Sequence, residues 1–136
     1  MGAAASGRRT IDELLRDARA RLDRLHPHEA LGAARRGGLI VDIRSEAQRL
    51  EGGLVPGAWF VPRNVLEWRA DPACAHHDPR LGVVAGPLVL MCAQGFQSSL
   101  AAATLQEMGI RQATDMIGGF EAWAAADLPV LAHSSP

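Results

Sequence analysis

Apolar residues recur at helical spacing near the start of the chain. They follow Thr10-Ile11-Asp12-Glu13, whose Ser/Thr-x-x-Glu pattern is typical of a capping box at a helix N-terminus. Pro27 pushes His26 out of the helical region and so ends the pattern. The spacing therefore predicts a helix over residues 10–25 that docks through one apolar stripe. That stripe consists of Ile11, Leu14, Leu15, Ala18, Leu22 and Leu25.

Short apolar runs alternate with helical patterns along the rest of the chain. Runs this short and this uniformly apolar are typical of interior strands in a parallel sheet. The predicted strands cover residues 39–43, 58–61, 87–91 and 112–117. The predicted helices or helical turns cover residues 28–36, 45–50, 64–68, 98–108 and 119–126. This alternation predicts an α/β fold with helices on both faces of a parallel sheet, and the N-terminal helix as an extra element.

Length and composition predict one folded domain. The chain has 136 residues, of which 48% are apolar and 21% are charged, so disordered and disulfide-dense classes are excluded. The segments at both ends are small and polar. We expect a flexible tail over residues 1–9, the helix over 10–25, one domain over 26–131 and a second tail over 132–136.

The charge balance excludes two classes of partner. With 14 basic and 15 acidic residues the formal net charge is -1, so we expect neither nucleic acid nor an anionic membrane as a partner. No apolar run approaches the roughly 18 residues that a membrane span needs, and the first residues lack the apolar core of a secretory signal. We therefore expect a cytoplasmic protein. Residues 1–6 fit the loose N-myristoylation pattern, but one acyl chain anchors a protein only marginally.

Cys92 stands where a buried strand is predicted to meet a helix. The connection is Cys92-Ala93-Gln94-Gly95-Phe96-Gln97-Ser98, which we name the Cys92 loop. Gly95 allows the loop to curl, so that successive amides converge on one point, and the helix N-terminus adds positive partial charge. A thiol in such a cradle is pushed toward the nucleophilic thiolate. The alternative interpretation is a buried cysteine that only packs.

Four short motifs, in this order, resemble the rhodanese (thiosulfate sulfurtransferase) homology domain family of the single-domain type. They are Leu39-Ile40-Val41-Asp42-Ile43-Arg44, Gly53-Leu54-Val55-Pro56-Gly57-Ala58, the Cys92 loop, and Gly118-Gly119-Phe120-Glu121-Ala122-Trp123. The resemblance implies a central five-stranded parallel sheet and a reaction without cofactor or metal. In that reaction Cys92 takes the outer sulfur of thiosulfate or another donor as a persulfide. It then passes the sulfur to cyanide, a thiol or a protein acceptor.

The resemblance and the positions of the residues in the chain together give expected roles for individual residues. Many family members carry a basic residue at the position of Gln97, and we expect Arg63 to lie near the loop mouth and replace that missing cation. The ring of Phe96 is expected to point outward. The expected substrate-binding residues are Ala93, Gln94, Gly95, Phe96, Gln97, Ser98 and Arg63. Asp42 and Arg44 are expected to give structural support, with Asp42 either accepting amides of the loop or pairing with Arg44.

Three other interpretations compete with this one. Phosphatases and arsenate reductases of this fold use a Cys-x5-Arg loop, and the sixth residue after Cys92 is Ser98, which disfavours them. A non-catalytic or partner-dependent sulfur-relay module with negligible thiosulfate activity is the second alternative. The third is a metal site at Cys74-Ala75-His76-His77-Asp78, a weak signal because no matching second ligand pair follows. Cys74 could also resolve an oxidised or persulfurated Cys92 as a disulfide.

Overall fold

Four short strands pair into one parallel sheet in the computed structural model, which describes residues 7–134. The strands are β1 (Leu39–Asp42), β2 (Trp59–Phe60), β3 (Leu88–Met91) and β4 (Ala113–Asp115). Their order in the sheet is β2-β1-β3-β4, and each lies within a range predicted from the sequence. The expectations for residues 1–6 and 135–136, including the myristoylation pattern, lie outside the described residues.

The expected five-stranded sheet is wrong: the described residues form four strands, and beside β4 Leu25 makes only an isolated bridge to Met116. The amide of Leu25 donates to the carbonyl of Asp115 at 3.0 Å, and the amide of Ile117 donates to the carbonyl of Leu25 at 2.8 Å. Pro27 lies two residues after Leu25, has no amide hydrogen and begins helix α2, so the pairing of this segment with β4 cannot continue. Residues 7–134 therefore contain four paired strands and two isolated bridges, Leu25 with Met116 and Leu54 with Leu131.

Seven α-helices surround the sheet within residues 7–134. They are α1 (Ile11–Ala20), α2 (Pro27–Arg35), α3 (Glu46–Gly52), α4 (Leu66–Ala70), α5 (Pro79–Gly82), α6 (Gln97–Glu107) and α7 (Gly119–Ala125). A short 3-10 turn, Arg63–Val65, precedes α4. The sequence pattern does not predict α5, a single turn capped by Asp78, but it predicts the other helices to within two residues, apart from the end of α1.

Buried side chains form one apolar cluster on each face of the sheet. Alternate residues of a strand point to opposite faces, so Val41 and Leu90 belong to the cluster under α6, whereas Ile40 and Val89 belong to the other. That second cluster includes Trp123 of α7. The predicted arrangement, a parallel sheet covered on both faces, is confirmed.

Helix α1 packs against α6 rather than directly on the sheet. The predicted capping box is present: the amide of Glu13 donates to Thr10 Oγ1 at 3.0 Å, and the amide of Thr10 donates to Glu13 Oε1 at 2.7 Å. The helix ends at Ala20, five residues earlier than predicted, because Leu25 belongs to the bridge beside β4. Fewer residues of the predicted apolar stripe are therefore buried than expected. Leu15, Ala18 and the following Leu22 are buried, while Ile11 and Leu14 are exposed.

Candidate active site

The Cys92 loop lies at the carboxyl end of β3, where parallel α/β sheets place their ligand sites. Helix α7 supports the start of the loop, because the amide of Phe120 donates to the carbonyl of Cys92 at 2.8 Å. Gly95 has φ +82, and a Cβ atom there would lie 2.7 Å from the amide nitrogen of Gly118. Only glycine satisfies both this backbone angle and this close approach. The curled loop predicted from Gly95 is confirmed.

The thiol of Cys92 lies at the bottom of this curl. The residue is 2% exposed, and its Sγ atom accepts the amide of Gly95 at 3.2 Å. The other amides of the loop, from Ala93 to Gln94 and from Phe96 to Ser98, have no acceptor among the described residues. Because α6 begins at Gln97, some of these are the unpaired amides of a helix N-terminus. The arrangement can stabilise a negative charge on sulfur.

The side chains of the loop point in different directions. Phe96 and Gln97 are exposed, and the ring of Phe96 points outward as expected, with 56% of the residue accessible. Gln94 turns toward α7 and donates to Glu121 at 3.2 Å. Ser98 is fully buried, and its hydroxyl donates to Asp115 at 2.8 Å, so that the hydroxyl is not available to a ligand.

A buried carboxylate that the sequence analysis missed supports the loop from below. Asp115, at the end of β4, is 0% exposed and accepts the hydroxyls of Ser98 and Ser99, each at 2.8 Å. Arg24 Nε donates to the same carboxylate at 2.8 Å. One feature of the sequence could have indicated the role of Asp115: it is an acid at the end of a predicted buried strand, and a buried carboxylate needs a hydrogen-bonding or charged partner.

Two arginines from the N-terminal segment, also missed, converge on the loop. Arg19 Nη2 donates to the carbonyl of Gly95 at 2.7 Å, and Arg24 Nη2 donates to the same oxygen at 3.1 Å. Arg19 Nε also donates to Ser99 Oγ at 3.1 Å. Gly95 lies 76 positions from Arg19 and 71 from Arg24, so no local pattern in the sequence indicates these contacts. We name Arg19 and Arg24 the arginine pair.

Asp42 and Arg44 form a buried ion pair at the end of β1. Arg44 donates to Asp42 through Nε at 3.0 Å and through Nη2 at 2.8 Å, and it also donates to the carbonyl of Gly53 at 2.8 Å. Its guanidinium lies 4.0 Å from the ring centre of Phe120. Asp42 therefore pairs with Arg44, and its side chain binds no residue of the Cys92 loop in the described part of the chain. The pair connects β1 to α7 and to the loop at Gly53.

Arg63 lies in the same open groove as Gln97, at the carboxyl edge of the sheet. Its Nη1 atom contacts both carboxylate oxygens of Glu67, at 2.8 and 2.9 Å. Arg63 thus shares a groove with the loop residue Gln97, but a neighbouring acid already balances its charge, and its role in donor binding stays a prediction.

The side chains of Cys74 and Asp78, in the segment considered as a metal site, accept hydrogen bonds from neighbouring protein groups. The amide of His76 donates to Cys74 Sγ at 3.4 Å, and Asp78 accepts the indole N–H of Trp59 at 2.7 Å. Within residues 7–134 no group of three or more His, Cys, Asp and Glu side chains is arranged to hold a metal ion. Cys74 and Cys92 are both free thiols.

Comparison with known proteins assigns the family. A family model described as Rhodanese-like domain matches residues 26–126. The chain belongs to the rhodanese-like domain family. It is 30% identical over 94 residues to a sulfurtransferase of Allochromatium vinosum, covering 69% of this chain and 78% of that protein. It is 28% identical over 104 residues to the thiosulfate sulfurtransferase GlpE of Haemophilus influenzae, covering 76% of this chain and 90% of that protein.

A solved structure extends the family comparison over more of the chain. A protein of unknown function from Rhodopseudomonas palustris CGA009, described as a possible tyrosine phosphatase, superposes with a TM-score of 0.83 at 32% identity. The match covers 90% of this chain and 94% of that chain. Within residues 7–134, no helix is both long and apolar enough to cross a membrane.

Replacement of Asp115 tests the support beneath the loop. We expect Asp115→Asn to lower the free energy of unfolding by about 3 kcal/mol, because it leaves the half-buried Arg24 without its carboxylate. Urea unfolding measures this change. The matched control is Asp23→Asn, an exposed acid in the neighbouring segment, which we expect to change stability little. Equal stabilities of the two variants would contradict the supporting role.

Proposed function

We propose that this protein is a sulfurtransferase that carries sulfur as a persulfide on Cys92. The observation that carries the proposal is the geometry of the thiol: Cys92 Sγ lies at the end of β3, 3.2 Å from the Gly95 amide, within a loop of amides that have no acceptor among the described residues. Nucleophilic catalysis by cysteine requires the thiolate, and such a cradle favours it.

The first step loads sulfur onto the enzyme. The Cys92 thiolate attacks the outer sulfur of thiosulfate, a new S–S bond forms, and the original S–S bond breaks with its electron pair leaving on sulfite. The product is a persulfide anion on Cys92, one atom longer than the thiolate. The Gly95 amide contacts the sulfur of the thiolate form, and the loop amides without an acceptor are the donors for the longer persulfide, so that the step needs no general base.

The second step returns the thiolate. Cyanide or a thiolate attacks the terminal sulfur, the S–S bond to Cys92 breaks, and its electron pair returns to Cys92 Sγ. With cyanide the product is thiocyanate, and with a thiol it is a new persulfide. The exposed side chains of Phe96 and Gln97 border the route by which an acceptor reaches the sulfur.

The donor-binding groove has less positive charge than many family members are expected to have. Gln97 offers hydrogen bonds and no charge, and Arg63 is paired with Glu67. Thiosulfate is therefore a weak donor, and a persulfide or a protein donor is an alternative to it. The relatives named above support sulfur transfer, since one is described as a sulfurtransferase and another as a thiosulfate sulfurtransferase. The cytoplasmic location stays a prediction.

Mass spectrometry tests the persulfide. Thiosulfate is expected to add the mass of one sulfur atom to the reduced protein, and cyanide to remove it with release of thiocyanate, because Cys92 alone carries the sulfur. Cys92→Ser should gain nothing, while Cys74→Ser should gain the same mass as the wild type. Failure to gain sulfur with Cys92 still readily alkylated would favour the partner-dependent relay module.

Kinetics with groove variants test the donor charge. Arg63→Ala is expected to raise the KM for thiosulfate about fivefold, less than a full charge-assisted contact because Glu67 already pairs with Arg63, and Glu67→Gln is expected to lower the KM by freeing Arg63. Gln97→Arg is expected to raise kcat/KM by adding a cation at the loop. Arg35→Ala, an exposed arginine on α2, is the control. An unchanged KM in Arg63→Ala removes that residue from donor binding.

Phosphatase activity is the second candidate, because a similar solved structure is described as a possible tyrosine phosphatase. The chemistry of this chain disfavours it: position 98, the sixth after Cys92, is a serine, and its hydroxyl is bound to Asp115 at 2.8 Å. No arginine of the loop is available to bind a phosphoryl group in two places. We expect no hydrolysis of p-nitrophenyl phosphate above the level of Cys92→Ser. Hydrolysis that Cys92→Ser abolishes would favour the phosphatase instead.

A further inference from the structure

The arginine pair binds the peptide group that follows Gly95. Arg19 and Arg24 both donate to the Gly95 carbonyl, at 2.7 and 3.1 Å. The peptide bonds of the described residues are all trans, so the carbonyl of Gly95 and the amide of Phe96 point in opposite directions. Because the arginine pair fixes the oxygen, it also fixes the direction of the Phe96 amide, which has no acceptor among the described residues.

A cationic donor also polarises the peptide that it binds. Hydrogen bonds in a chain strengthen one another, so two guanidinium groups on the carbonyl make the amide at the other end of that peptide a better donor. The Gly95 amide already contacts Cys92 Sγ, at 3.2 Å. The two peptide groups of Gly95 thus connect the thiol with the arginine pair across one residue.

The two cations and the one buried anion beneath the Cys92 loop sum to one positive charge. Arg19 and Arg24 lie close to one buried anion, Asp115. Glu121, on α7, binds Gln94 on the other side of the loop. Burial and the neighbouring Arg24 lower the pKa of Arg19, whereas the charges of Asp115 and of a Cys92 thiolate raise it. Electrostatic interaction is mutual, so the Arg19 cation attracts an anionic sulfur held in the Cys92 loop.

We propose that Arg19 is a positioning residue that supplies the Cys92 loop with the positive charge that Gln97 does not provide. Acting through the Gly95–Phe96 peptide, it aims and polarises the Phe96 amide toward the anionic sulfur on Cys92. Arg24 shares the same carbonyl and links it to Asp115. The inference rests on the proposed sulfur transfer. Both arginines precede residue 26, so this charge comes from a segment outside the family match.

Variants of Arg19 separate a charge role from a packing role. Arg19→Gln removes the charge and Arg19→Lys keeps it, and all variants carry Cys74→Ser so that Cys92 is the reacting thiol. The control is Arg16→Gln, which removes an exposed arginine from the same helix. Circular dichroism and urea unfolding verify folding, and Arg19→Met, which keeps the apolar stem, replaces Arg19→Gln if that variant unfolds.

The first readout is alkylation of Cys92 by iodoacetamide as a function of pH, which requires no sulfur transfer. Arg19→Gln is expected to slow alkylation about tenfold on the acidic side of the profile, the effect of losing one hydrogen bond to a charged group. Arg19→Lys should restore most of the wild-type profile, and Arg16→Gln should match it. If Arg19 only packs, Arg19→Gln will change the stability of the protein and leave the pH profile of Cys92 alkylation unchanged.

The second readout is the steady-state reaction of thiosulfate with cyanide. Arg19→Gln is expected to lower kcat by about tenfold, the effect of losing one hydrogen bond to a charged group, with little change in KM because Arg19 lies behind the loop. An alkylation profile in Arg19→Gln equal to that of Arg16→Gln would overturn the inference. A wild-type protein that takes up no sulfur would overturn the proposed function alone, since the alkylation result stands by itself.

Discussion

The positive φ of Gly95 is the constraint on which the candidate site depends. At φ +82 the chain turns back between β3 and α6, and the Gly118 backbone lies so close that no side chain fits. The amide of Gly95 then contacts Cys92 Sγ, while its carbonyl turns toward the arginine pair. The thiol, the free amides and the cations therefore owe their relative positions to one residue.

The rest of the structure holds this turn from three directions. Helix α7 binds the backbone of Cys92 and Ala93, and Asp115 at the end of β4 binds the first turn of α6. The arginine pair connects the N-terminal segment to the loop and to Asp115. Because buried polar groups are costly unless paired, these contacts form a network whose members depend on one another. The outer side of the loop stays open to the groove at Gln97 and Arg63.

Local patterns in the sequence predict most of the fold and the centre of the site. Uniformly apolar runs predict the four strands, the capping box at Thr10 predicts the start of α1, and Gly95 after Cys92 predicts the curled loop. These features depend on neighbours in the chain. The fifth strand, implied by the family resemblance, fails because Pro27 ends the pairing at Leu25.

The supporting network could not be predicted in the same way. Arg24 and Asp115 are 91 positions apart, and Arg19 and Gly95 are 76 positions apart. Nothing local distinguishes Arg19 from the exposed Arg16 in the same helix until the docking face of α1 is known. The pairing of Arg63 with Glu67 was likewise hidden, since i,i+4 spacing permits an ion pair without requiring one.

A crystal structure of the protein after treatment with thiosulfate tests most directly the claim that the loop amides bind anionic sulfur. The account predicts a persulfide on Cys92 whose terminal sulfur lies within hydrogen-bond distance of the loop amides, Phe96 among them, while the Gly95 carbonyl still contacts Arg19. A terminal sulfur turned away from those amides, or sulfur bound to Cys74 instead, would contradict it.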